Sequence, residues 1–165
     1  MKKFSLKTIS IVALTLSLCL SPLLAQAARG ARHQTLGVGV NLGEPIGFDG
    51  RLYFLEHLSL DLITGYGFDE KAFIIQPSIL FNMNDVLDYN GRNFSFVPYF
   101  GAGFKTGIAE GGNGVAALRF PLGLNWVLQR GLYEVSLEFA PGVQFSPGNT
   151  AFDATGGVGL RYFLF

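Results

Sequence analysis

The sequence predicts an all-β chain, an eight-stranded antiparallel up-and-down transmembrane β-barrel, and three observations lead there. Hydrophobic residues make up 49% of the chain and charged ones only 15%, with 22 glycines and 16 phenylalanines, yet past residue 27 no apolar run is long enough for a membrane helix. Lipid accepts only helices and closed barrels, because both satisfy every backbone polar group internally. From residue 35 onward the chain divides into segments of about ten residues that alternate apolar with small, polar or charged positions, the period of a two-faced strand. Aromatic residues on the apolar parity gather at the segment ends, where two water interfaces would lie.

The first 27 residues stand apart. Lys2 and Lys3 precede an apolar run from Ile9 to Leu24, and Ala25-Gln26-Ala27 supplies small residues for cleavage. That order is expected of a signal peptide (1–27), leaving 28–165 as the barrel domain. Cys19, the single cysteine, lies inside the leader. It follows Leu18 rather than a small residue, which argues against a lipoprotein site, and the mature chain is expected to use no thiol chemistry. Loss of Lys2, Lys3 and Lys7 leaves nine basic residues against twelve acidic ones, a net charge of −3, which excludes the basic footprint of a nucleic-acid binder.

The predicted strands cover 35–43, 46–55, 58–67, 71–82, 94–105, 114–128, 132–145 and 152–165. Turn signals separate them: Gly43-Glu44-Pro45, Asp69-Glu70, Asn90-Gly91, Gly111-Gly112-Asn113, Arg130-Gly131 and Pro147-Gly148-Asn149. In the second segment Phe48, Leu52 and Phe54 oppose Asp49, Arg51 and Tyr53. In the third Leu58, Leu60, Leu62 and Tyr66 oppose Ser59, Asp61 and Gly65. The sixth sets Leu118, Phe120, Leu122, Leu124 and Trp126 against Arg119, Gly123 and Asn125. The seventh sets Tyr133, Val135, Leu137 and Phe139 against Glu134, Ser136 and Glu138. An even number of strands places both termini on one side.

On the apolar parity Phe54, Phe81, Phe94, Trp126, Tyr133 and Tyr162 fall at the terminus side, and Tyr66, Phe73, Phe104, Phe145 and Phe152 at the far side. These predict two aromatic girdles. Paired rings on one strand are about ten residues apart; at about 3.3 Å each and a tilt of roughly 40°, that spans about 25 Å, the height of an outer-membrane apolar band. The opposite parity collects Asp49, Arg51, Asp61, Lys105, Arg119, Glu134, Glu138, Asp153 and Arg161, with Asn41, Gln76, Ser78, Tyr99 and Asn125. Eight strands enclose a space that side chains fill, so these charges are expected to pair across the lumen instead of lining a channel.

The last segment alternates Phe152, Ala154, Gly156, Val158, Leu160, Tyr162 and Leu164 with Asp153, Thr155, two glycines and Arg161, and ends on Phe165. This aromatic terminal strand resembles that of bacterial outer-membrane barrels. The chain as a whole resembles small eight-stranded members, the outer-membrane protein X group and the membrane domain of outer-membrane protein A. Gly43-Glu44-Pro45-Ile46-Gly47 with Gly50-Arg51, Pro121-Leu122-Gly123-Leu124, Glu138-Phe139-Ala140-Pro141 and Gly156 to Tyr162 look like an uncharacterised family of small barrels. The resemblance implies a monomer in the outer membrane of a Gram-negative bacterium, partnered by outer-membrane lipid and by the barrel assembly machinery that reads the C-terminal strand. It transfers no catalytic residue.

A structural or surface-interaction role without cofactor, metal or catalysis is therefore expected, with a small pore and a lipid A-modifying enzyme as alternatives. The enzyme alternative rests on His57-Leu58-Ser59, which resembles the H-x-S pair of outer-membrane lipid A deacylases but sits at the terminus side of the third strand. His33 has no second ligand near it in sequence. The connection 83–93 is the longest, and the topology puts it on the terminus side.

Overall fold

A computed structural model describes residues 36–83, 94–110, 114–128, 132–146 and 149–164. The expected leader, Cys19, His33, most of the 83–93 connection and Phe165 lie outside the described residues. The chain is all-β: β1 (Leu36–Gly43), β2 (Ile46–Tyr53), β3 (Leu58–Gly67), β4 (Ala72–Asn82), β5 (Phe94–Ala109), β6 (Gly114–Arg119), β7 (Leu122–Leu128), β8 (Tyr133–Ser146) and β9 (Asn149–Phe163). All belong to one antiparallel sheet. Each strand pairs with its sequence neighbours except that β6 and β7 pair with β5 and β8 and not with each other, and β1 also pairs with β9.

Nine strands appear where eight were expected because the sixth segment is interrupted at Phe120-Pro121. β6 and β7 still lie end to end on β5, Gly103↔Arg119 and Phe100↔Leu122 belonging to one register, and both pair with β8 on the other side. Proline has no N–H to give to the ladder. The gap is bridged by the groups that remain: Gly101 N donates to Pro121 O at 2.8 Å and Phe120 N to Pro141 O at 2.8 Å. Other bounds also differ from expectation, most of them by one or two residues. β5 runs on to Ala109, because Thr106 and Ile108 pair with Ile75 and Phe73 on one side and with Ala116 and Gly114 on the other. β9 begins at Asn149 in step with Ser146. β2 stops at Tyr53, so Phe54 lies in the following turn, its N–H bonded to Leu58 O.

The burial pattern sorts the two parities without exception along β4, where Ala72, Ile74, Gln76, Ser78, Leu80 and Asn82 are buried and the residues between them are not. Taken over all nine strands, the outward parity carries no charged or amide side chain. Its most polar members are Thr64, Thr106, Thr150 and the tyrosines, and it presents Phe48, Phe73, Phe100, Phe104, Leu137, Phe139 and Phe152 openly. The buried apolar cluster is small, consisting of Ala72, Ile74 and Val115 with Ala109 against them. Buried polar and charged side chains fill most of the remaining interior. A water-soluble fold buries its apolar face and exposes its charges; this sheet does the reverse.

The aromatic residues expected at the girdles divide by position. Near the Phe163 end, Trp126, Tyr133, Tyr162 and Phe81 are exposed. Tyr133 packs on Tyr162 with ring centroids 5.4 Å apart, and Phe96 and Phe100, which the girdle reading omitted, pack on Trp126 and Phe81 at 5.6 and 5.5 Å. Near the Pro45 end Phe73, Phe104, Phe145 and Phe152 are exposed. Tyr66 there is half-buried, edge-on to Phe68 at 5.2 Å, with its hydroxyl donating to Glu110. Phe54 is half-buried in its turn, and the side chain of Phe94 lies outside the described set.

Candidate functional site: an interior charge network

Period-two geometry sends Asp49, Arg51, Asp61, Lys105, Arg119, Glu134, Glu138, Asp153 and Arg161 to one side of their strands, and all nine are buried there. They do not form one network. Toward the Phe163 end, two guanidiniums meet three carboxylates. Arg161 holds Asp49 at two points, a hydrogen bond from Nε to Oδ1 at 2.8 Å and an ion-pair contact between Nη2 and Oδ2 at 2.7 Å. Its Nη1 donates to Glu134 Oε1 at 2.8 Å and to Ser136 Oγ at 3.0 Å. Arg51 donates through Nε to Asp61 Oδ1 at 2.7 Å and through Nη1 to Glu134 Oε1 at 3.1 Å and Asn125 Oδ1 at 2.9 Å. Its guanidinium also lies 4.9 Å from the centre of the Tyr99 ring, a cation–π contact.

Register explains the longest of these reaches. Gly39 on β1 stands between Arg161 on β9 and Asp49 on β2, directly paired with both. Having no side chain, it leaves Arg161 a clear path across β1. A Cβ at Gly39 would also run into the carbonyl oxygen and carbon of Leu160. Arg161 thereby links β8, β9, β2 and, through Asp61 at 3.3 Å, β3, straddling the pairing of the first strand with the last. Tyr53 donates to Glu134 Oε2 at 3.0 Å, and Asn82 Nδ2 donates to Ser59 Oγ at 2.9 Å, which closes the layer below.

The remaining charges form two smaller groups. Arg119 pairs with Glu138, whose second oxygen accepts from the Tyr99 hydroxyl at 3.0 Å. Nearer the Pro45 end, Lys105 pairs with Asp153 at 2.6 Å and with Glu70. Sequence reasoning placed Glu70 in a turn and missed it as a partner; its signal was only that the turn leads into β4, whose other neighbour, β5, carries Lys105. At the same end, burial, and with it the nearby Asp69 and Glu70 charges, raises the Glu44 carboxyl above its ordinary range.

The H-x-S pair is not joined. Ser59 is buried and turned inward to Asn82 Nδ2, whereas His57 stacks on Phe81 at 5.9 Å with Nδ1 3.3 Å from the Asn82 carbonyl oxygen. A serine nucleophile needs its base within hydrogen-bond reach, and these two side chains take separate partners. Among the described residues, no group of three or more His, Cys, Asp or Glu side chains is arranged to hold a metal ion. Comparison with known proteins finds no matching family model, no matching curated protein and no matching solved structure.

Proposed function

We propose that the chain is an integral outer-membrane β-barrel of eight staves with a structural or surface-interaction role, its interior closed by ion pairs and free of catalysis. The observation that carries this is the inverted sidedness: a wholly uncharged outward face over nine strands around a buried set of charges. Lipid favours such an exterior, while an Arg or Lys on it would cost about 2 to 4 kcal/mol at mid-depth.

The register supports closure. Starting at Leu160, paired residues run through Val40, Phe48, Thr64, Ile75, Thr106, Ala116 and Phe145 and return to β9 at Thr150, ten residues from the start. With β6 and β7 as one stave the circuit has eight. A ten-residue offset at about 3.3 Å each, over eight staves about 4.8 Å apart, sets a tilt of about 40° and a backbone radius of about 8 Å. Such a cylinder holds side chains and little else. Export through the 1–27 leader, delivery to the outer membrane of a Gram-negative bacterium by the assembly machinery, and a monomeric state belong to the same proposal, as does membership of the small eight-stranded barrels.

Two measurements test it. The mature chain, purified in detergent, is expected to give β-rich circular dichroism and to migrate differently in gels before and after boiling; a water-soluble monomer that needs no detergent refutes the proposal. In planar bilayers it is expected to produce no discrete conductance steps. Reproducible ion-selective steps would put the small pore in place of the closed interior.

A further inference from the structure

Among the described residues, three of the buried cations, Arg51, Arg119 and Arg161, are guanidiniums, which keep their protons in any protein environment. The fourth, Lys105, is a different chemical object. Its amine becomes a nucleophile once it gives up a proton. Lys105 is 1% exposed on β5, and its Nζ touches two carboxylates, Asp153 Oδ1 on β9 at 2.6 Å and Glu70 Oε1 in the β3–β4 turn.

Register explains how the lysine reaches across two strands. Lys105 pairs with Ala117 on β6, and Asp153 pairs with Gly142 on β8. A methyl group and a hydrogen are all these two partners put in the way. One inward position further along β5, Gly107 stands between Ile74 and Val115, members of the buried apolar cluster, so the row beside Lys105 is apolar. Burial of this kind penalises the charge at each end of an ion pair. Each carboxylate has one oxygen on Nζ, while the other, Asp153 Oδ2 or Glu70 Oε2, is buried without a hydrogen-bond partner. An ammonium nitrogen, a carboxyl carbon and a second carboxylate on the same nitrogen are the parts an amide condensation needs: nucleophile, electrophile and proton carrier.

We infer that Lys105 and Asp153 condense into an amide that joins β5 to β9 across the interior, with Glu70 carrying a proton between them. Nζ first passes a proton over the 2.6 Å contact to Asp153 Oδ1, which turns ammonium and carboxylate into amine and carboxylic acid. The Nζ lone pair then attacks Cγ, and one electron pair of the Cγ–Oδ2 double bond moves onto Oδ2. Glu70 Oε1 takes a second proton from Nζ and delivers it to Oδ1. The pair on Oδ2 returns, the Cγ–Oδ1 bond breaks, and Oδ1 leaves as water. The nitrogen keeps its last hydrogen, Glu70 ends as it began, and no oxidant or reductant takes part. One positive and one negative charge leave the interior in exchange for a neutral amide, which a low dielectric favours, and the fold supplies the reactants already in contact. The event is a single condensation within the chain, without turnover or an outside substrate.

Intact-mass spectrometry reads the bond in the 28–165 chain, folded with or without detergent to a β-rich circular dichroism spectrum and then denatured. The parent is expected to weigh one water less than its sequence. Trypsin, which cuts after Arg92, Arg119, Arg130 and Arg161, is expected to release segments 93–119 and 131–161 as one joined species. Lys105→Arg keeps the positive charge and cannot form the bond, so its mass is expected to match its sequence. Glu70→Gln removes the proton carrier and is expected to form the bond about a hundredfold more slowly, the lower end for general acid–base assistance. A folded parent at full sequence mass overturns the cross-link, and a missing water mapped to other residues overturns its assignment to Lys105 and Asp153. Bond formation in Glu70→Gln at the parent rate overturns the role of Glu70. The bond requires the paired strands and no lipid around them, so its readout is separate from the outer-membrane reading: a joined chain that stays soluble without detergent defeats that reading alone, and an unjoined chain that needs detergent defeats the cross-link alone.

Discussion

Replacing Arg161 with leucine is expected to lower folding stability by about 3 to 5 kcal/mol, the range for removing one partner from a buried ion pair. The mechanism is the charge left behind. Asp49 is wholly buried, and its two ion-pair contacts are both with Arg161. Arg51 has only Nη2 without a hydrogen-bond partner, its Nε being committed to Asp61 and its Nη1 to Glu134 and Asn125. Leucine would cover part of the guanidinium's volume but would give Asp49, Glu134 and Ser136 no donor. Urea unfolding in lipid vesicles, followed by circular dichroism, measures the loss. Adding Asn at Asp49 to the leucine variant removes the stranded charge and is expected to restore a substantial part of the stability. If the double variant is no more stable than the single one, the cost comes from packing, and the electrostatic account of Arg161 is wrong.

That prediction depends on a feature the sequence shows only in part. Alternation fixes which face each charge occupies, so Asp49, Arg51, Asp61, Glu134 and Arg161 were assignable to the interior from period two alone. Which of them meet is set by register and by the offset accumulated around the circuit. Arg161 and Asp49 are 112 residues apart, and they meet because Gly39 stands between them with no side chain. Nothing in the local sequence announces that role for Gly39. Strand bounds were misread for related reasons. Residues 106–109, Thr-Gly-Ile-Ala, have the composition of a loop, yet they are held as strand by ladders on both sides. Asn149 reads as the end of a Pro-Gly-Asn turn but pairs with Ser146. Glu70 looked like a solvated turn residue because turn chemistry says nothing about where a long side chain folds back.

The outward face gives the second large effect. Leu122→Arg is expected to cost about 2 to 4 kcal/mol near mid-membrane. Leu122 is 50% exposed and is flanked across the strands by Phe100 and Phe139, which are 46% and 55% exposed. Its neighbours are therefore apolar on both sides, and the described outward parity offers no carboxylate that could pair with a new guanidinium. In water such a substitution on an open strand face would cost little. The sign and size of the change therefore decide what surrounds this face. Gln76→Asn supplies the comparison: it shortens an inward side chain neither of whose amide atoms has a hydrogen-bond partner to lose, so its cost should be far smaller. Urea titration of both variants in the same vesicles measures the contrast. Equal losses would mean that the face bearing Leu122 meets no lipid, and the outer-membrane assignment would fall with it.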